Sequence, residues 1–131
     1  THHPISPKLY YEEQSVEADR RARVFCGARM IKYLAWFDSV LSRNGRNVKA
    51  RRLHLVGAQL SYADLSLFQL VEGLHYAFPK ATRRALRTAP LVQRLHGEVA
   101  QLPRVADYLA SARRIPFNQD GLFRQYPELD S

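Results

Sequence analysis

The chain has 131 residues, 46% of them hydrophobic and 24% charged, which suits one globular domain with a real core and excludes a multidomain machine. Lys and Arg number 20 against 12 Asp and Glu, a formal net charge of +8, so some affinity for polyanions is expected on charge alone. The lone Cys26 excludes an internal disulfide, a redox pair and a cysteine-rich zinc site, and no apolar run approaches the roughly 18 residues that cross a bilayer.

Residues 6–44 read as helical, with Ser6 placed to cap and Pro7 in the first turn, where its missing N–H costs nothing. Tyr11, Ala18, Ala22 and Phe25 are spaced to share one face, while Glu17 with Arg21 and Asp19 with Arg23 are supporting pairs in the favourable order. Gly27 is the expected weak point. Beyond it Met30, Leu34, Phe37 and Leu41, widened by Ile31, Ala35 and Trp36, predict a second helix or a bent continuation to about Arg43. Residues 43–52 hold five cations, no anion and an Asn-Gly pair, and read as an exposed loop. Residues 53–60 are too short a run to assign to a strand.

Ser61-Tyr62-Ala63-Asp64 is the sharpest local signal. Ser61 can accept from the N–H three residues on, Asp64 can reach back to the N–H of Ser61, and Leu60 can staple onto Leu65. The helix starting here carries Leu65, Leu67, Phe68, Leu70, Val71 and Leu74, is apolar on nearly every side, and is expected to be a buried central helix that others surround. Pro79 ends it. A short basic helix follows at residues 81–87, and Pro90 opens another that buries Leu91, Leu95, Val99 and Leu102. Pro103 restarts the chain into a last helix with Val105, Tyr108, Leu109 and Ala112, whose C-terminal end suits Arg113 and Arg114. The tail from Ile115 is expected to be irregular but pinned to the body through Phe117, Leu122, Phe123 and Tyr126. The fold class that follows is all-α: a single domain over residues 1–131, with five or six helices around a buried central one.

No phosphate-binding loop, serine elbow or paired-histidine metal motif is present. His2 and His3 read as exposed terminal residues, His54, His75 and His96 stand alone, and Cys26 reads as a small core residue. The basic segments at residues 20–23, 43–52, 83–87 and 113–114 are scattered and lack an aromatic platform, so they read as solvated faces and no nucleic-acid binding beyond non-specific charge is expected. Tyr10 and Gln14 lie one turn apart on the predicted helix, where a ring and an amide could line a pocket as readily as serve ordinary packing. The chain opens on Thr1-His2-His3 rather than Met, as expected of a trimmed piece of a longer product or a tag remnant, and the single thiol suits a reducing, cytoplasmic setting.

The run VGAQLSYADLSLFQLVEGL, followed by APLVQRLHGEVAQLPRVADYLASARR, resembles the C-terminal helical domain of cytosolic glutathione transferases. LYYEEQSVEA and RMIKYLAWFDSVL are similar to that family's paired long helices, with Met30 where relatives commonly carry proline. The resemblance implies a domain that supplies the wall of a hydrophobic electrophile site, with Tyr10, Tyr11, Gln14 and Phe117 as the substrate-facing residues and Ser61 and Asp64 as the structural capping box. The family's thioredoxin-like domain, which holds glutathione and activates its thiol, has no counterpart here, so no catalytic residue, metal or cofactor is carried over. Glutathione is implied as cosubstrate only where such a domain is present. The implied partner is that domain or a second copy of the chain. The alternative is a non-enzymatic basic helical interaction module. Under the first reading the face left without the missing domain, bordered by Tyr10 and Tyr11, is expected to expose apolar surface, whereas burial of these tyrosines in a monomer would favour the interaction module.

Overall fold

The computed structural model describes residues 1–130, and among them are six α-helices and no strand. The helices α1 (Ser15–Val24) and α2 (Met30–Arg43) are two parts of one rod, joined by a π-helical turn at Phe25–Arg29. Gln14, Ala18, Ala22, Cys26, Met30 and Leu34 recur every fourth residue along this rod, and all are buried. In a pure α-helix that spacing drifts by about 40° per step. The wider turn centred on Gly27 absorbs an extra residue and swings the second half of the stripe back toward the core. Gly27 therefore marks a change of pitch rather than a break. The buried face also differs by one residue from the expected one: Cys26 is fully buried, whereas Phe25 lies at the edge against Phe78, with ring centres 5.5 Å apart.

The rod starts later than expected. Residues 6–11 are irregular, and helical structure begins with a 3-10 turn at Glu12–Gln14. The reason is Gln14, whose buried amide takes the backbone groups that a helix would otherwise pair. Its Oε1 accepts from the N–H of Ile5 (3.0 Å) and Ser6 (3.3 Å), and its Nε2 donates to the carbonyls of Ser6 (2.9 Å) and Leu9 (3.1 Å). Ser6 turns its hydroxyl to the N–H of Lys8 instead of capping a helix.

The basic loop after α2 is held by two asparagines. Asn44 donates to the carbonyls of His54 (2.8 Å) and Gly57 (2.9 Å), while Asn47 donates to Leu41 O and accepts from His54 N. Gly57 has φ +65°, a left-handed conformation that a side chain would strain, and it turns the chain back toward the next helix. Leu53 and Leu55 are buried on the way without forming a strand.

The third helix, α3 (Tyr62–Ala77), starts at the predicted capping box. Ala63 N donates to Ser61 Oγ (3.3 Å) and Ser61 N donates to Asp64 Oδ2 (2.8 Å). Asp64 is fully buried, and its second oxygen accepts from Leu55 N at 2.7 Å, so one carboxylate fixes both the helix start and the incoming strand of chain. Two further helices open on proline and draw their caps from far away in sequence. In α4 (Pro79–Leu86) the N–H groups of Lys80 and Ala81 donate to Asp130, at 2.8 and 2.9 Å. In α5 (Pro90–Ala100) those of Leu91 and Val92 donate to Asp38 on α2, at 2.7 and 3.1 Å.

The buried face of α5 is the expected one widened by Val92, with Leu91 and Leu102 packed at its edge. Val92, Leu95 and Val99 are buried and Leu91 is only half-buried, because α5 packs against both α2 and α3. The last helix, α6 (Pro103–Ala110), ends before Ala112, and Arg114 does not serve its dipole. It reaches across to Glu72 of α3 at 2.8 Å, and Glu72 also meets His96 at 2.8 Å. Nor is α3 surrounded on every side. It rests on α4 and α5, as α2 does, but α2 and α3 make no close approach to each other, and Tyr62 and Leu65 face solvent.

Two predictions follow from these contacts. Ser61→Ala is expected to cost about 1 kcal/mol in a denaturant melt, the usual loss for an N-cap. Asp64→Ala is expected to cost roughly 3 kcal/mol, since it also strands the N–H of Leu55; equal losses would show that the Leu55 bond contributes nothing. The second prediction concerns pH. Burial, then the neighbouring His96, lowers the pKa of His75 from its ordinary 6.5, with Arg83 acting the same way and Glu72 opposing. The unfolded chain therefore takes up that proton more readily than the folded one, so stability is full above about pH 6.5 and declines as pH falls through it. His75→Gln should flatten that part of a stability-against-pH curve.

Candidate functional site

The chain leaving α6 forms a strap over residues 111–130 that recrosses α3 and ends against α1. It is fastened along one edge of α3 by Arg114 on Glu72, by Phe117 stacked on Tyr76 (5.0 Å), and by Phe123 over Gly73. A Cβ on Gly73 would lie 2.4 Å from the Phe123 ring, so only glycine admits this approach. Further on, Tyr126 stacks on Tyr11 with ring centres 3.9 Å apart, Tyr11 donates its hydroxyl to Glu128 (2.7 Å), and Leu129 is buried beside Cys26.

Strap and rod together enclose a hollow of about 410 Å³ lined by Tyr10, Tyr11, Glu12, Arg124 and Tyr126, with His3 to Leu9 of the N-terminal segment at its rim. Burial, reinforced by the bond to Glu128, pushes the Tyr11 phenol above its ordinary pKa, so it stays protonated and donates. The same bond holds the Glu128 carboxyl below the usual range. Arg124 spends its N–H groups on the carbonyls of Gly121 (3.0 Å) and Asp120 (3.4 Å) and makes no ion pair among the described residues. The hollow thus offers aromatic faces and two cations, Lys8 and Arg124, with Glu12 as the carboxylate in its lining, while the Tyr11 hydroxyl is committed to Glu128.

Of the four residues singled out in the sequence, the structure brings two together here. Tyr10 is 78% exposed and Tyr11 half-buried, side by side in the hollow. Gln14 is 2% exposed, lies beneath the N-terminal segment and has its amide engaged by that segment's backbone. Phe117 lies against Tyr76 and Phe123, away from the hollow, and acts there on the strap. The sequence marked Tyr126 only as a pin of the tail and did not mark Arg124, since only the fold returns the tail to the start of the rod.

The exposed apolar surface is also displaced from where the sequence put it. It is not bordered by Tyr10 and Tyr11. It runs between α2 and α3, where Tyr33, Trp36 and Phe37 on one side and Leu65 and Leu70 on the other line an open trough. The signal was present in the sequence as a second apolar stripe, at 33, 36, 37 and 40, beside the buried one at 30, 34 and 41.

Gly73→Ala is expected to lift Phe123 off α3 and loosen the strap, at a cost of about 1–3 kcal/mol. Limited proteolysis within residues 111–126 should then quicken, and Gly73→Ala combined with Phe123→Ala should cost less than the two changes summed. Strict additivity would mean that the ring does not rest on the glycine.

Comparison with known proteins agrees with this architecture. Residues 1–112 match the family model described as glutathione S-transferase, C-terminal domain. A glutathione S-transferase of Plasmodium falciparum (isolate 3D7) is similar to the chain, with 25% identity over 89 residues, or 68% of this chain and 40% of the relative. The chain thus spans well under half the length of that relative. With the capped central helix, the pitch-changed rod and the prolines opening the later helices in the matched order, the chain belongs to the glutathione S-transferase C-terminal domain family.

Proposed function

We propose that this chain is the helical part of a glutathione transferase-like protein and that its tyrosine hollow forms one wall of the site where an electrophile meets glutathione. The supporting observation is that Tyr10, Tyr11 and Tyr126 converge on one hollow built from the start of the helical rod and the returning tail. Tyr10 presents a free ring face, Tyr126 is held by its stack on Tyr11, and Arg124 places a positive charge where an anionic leaving group or a glutathione carboxylate would lie. Gln14 and Phe117 act indirectly, the first by holding the N-terminal segment that rims the hollow and the second by seating the strap.

These residues bind and orient; none of them ionises a thiol. A thiolate needs a base to take its proton or a free donor to stabilise it, and the single O–H of Tyr11 is already committed to Glu128. The thiolate and the glutathione site belong to a thioredoxin-like partner domain, with which the chain works in the cytoplasm. There the sulfur–carbon bond forms as the halide leaves. A second reading, a non-enzymatic interaction module, draws on the uncovered apolar trough between α2 and α3.

The chain by itself should not accelerate conjugation of glutathione to an aryl halide, and calorimetry should show weak glutathione binding or none. The aryl conjugate should bind it measurably, and Tyr10→Ala or Tyr126→Ala should weaken that binding about three- to tenfold, as expected for a lost aromatic contact. Turnover by the homogeneous chain would overturn the assignment of the activating group to a partner. Unchanged conjugate binding in both variants would remove the hollow from the site.

A further inference from the structure

Between α2 and α3 the structure leaves a space that its own helices do not fill. Both helices rest on α4 and α5, yet neither closely approaches the other. Each turns a helical stripe toward the gap. On α2 it is Tyr33, Trp36 and Phe37, at i, i+3 and i+4; on α3 it is Leu70 and Leu74, with Tyr62, Leu65 and Gln69 continuing from Leu70 into a cavity that Phe123 bounds. Tyr33, Trp36 and Tyr62 are 50%, 56% and 84% exposed, far above what core positions show. The cavities along this gap share residues from one to the next. One of about 290 Å³ at Trp36 meets a half-open apolar recess of about 150 Å³ under Phe37, Leu70 and Leu74, and a third of about 310 Å³ runs on to Phe123 and Arg124.

We propose that this trough is the docking groove for one amphipathic α-helix of a partner, apolar on the face that enters the groove and acidic along its flanks. Apolar residues at helical spacing on both sides of a gap match the ridges of a third helix, and the half-open recess between them has the size of a single side chain. The charge of the occupant follows from the rim. Lys32 and Arg124 line the trough, Arg29 lies over the Tyr33 ring, and no Asp or Glu lines any of these cavities. A second copy of the chain is a poor occupant, since two molecules of net charge +8 would meet across a cationic rim. The inference is independent of the electrophile reading, because the tyrosine hollow lies elsewhere and shares only Arg124 with the trough.

Trp36 is the chain's sole tryptophan and reports on the groove directly. Titration of the chain with a synthetic helix bearing Leu and Phe at i, i+3, i+4 and i+7 and Glu on its flanks should shift Trp36 emission to the blue. The same peptide with Lys flanks should bind at least about tenfold more weakly. Tyr33→Glu, at an exposed position that leaves the core intact, should abolish the shift, while Lys32→Glu should reverse the preference between the two peptides. Tyr10→Ala should change neither. Equal binding of the two peptides would overturn the charge assignment. A blue shift that rises with protein concentration alone, accompanied by dimer in sedimentation equilibrium, would make the occupant a second copy. Binding of dodecanoate without binding of either helix would make the trough a small-molecule site and end the proposal.

Discussion

Every helix that starts inside a protein must find acceptors for its first N–H groups, and here buried or half-buried carboxylates meet that demand from three directions. Asp64 serves its own helix and also the N–H of Leu55, Asp38 reaches from α2 to the start of α5, and Asp130 reaches from the far end of the chain to α4. The helices served at a distance both open on proline, which fixes the first turn but supplies no capping side chain. Each carboxylate meets the positive end of a helix as well as two donors, so its burial is offset by charge-assisted bonds. The consequence is that α2, the strap and α3 are positioned by the helices they cap rather than by apolar contact alone.

The strap illustrates how far that dependence reaches. Asp130 fixes its end on α4, and a single edge of α3, through Glu72, Gly73 and Tyr76, fixes its beginning and middle. With both parts held, Tyr126 has one place to go, over the ring of Tyr11. The tyrosine hollow is thus a product of anchors that themselves touch no ligand. Glycine at position 73 permits the closest of these contacts, and its small size is used for packing rather than for backbone conformation.

Two surfaces of different character result. The hollow is rimmed by polar groups and built from the chain's two ends, which suits a small molecule held by a few aromatic faces. The trough is long, open and apolar, flanked by cations and built from two helices. Family membership accounts for the helical order, and the chain covers 40% of the transferase it resembles.

Local chemistry was legible in the sequence. Ser61 and Asp64 at capping-box spacing, prolines at the helix starts and the periodic apolar runs fix six helices in order, because those effects act within one or two turns of chain. Where the sequence misled, the competitor was always a group from elsewhere. Gln14 drew six preceding residues out of the helix, Glu72 drew Arg114 away from the end of α6, and the two neighbours of α5 widened its buried face to include Val92. Periodicity also shows that a face is apolar without showing what it meets, so Trp36 read as part of the buried stripe although it stands exposed beside Tyr33, while Phe37 does pack against the core. The sequence by itself determined the family, the class of fold and the start of the central helix. Only the tertiary structure decided that Tyr10 and Tyr11 share a hollow with Tyr126, that Gln14 lies buried with its amide on the N-terminal segment, and that the uncovered face lies between α2 and α3, because each depends on contacts between residues that stand far apart in the chain.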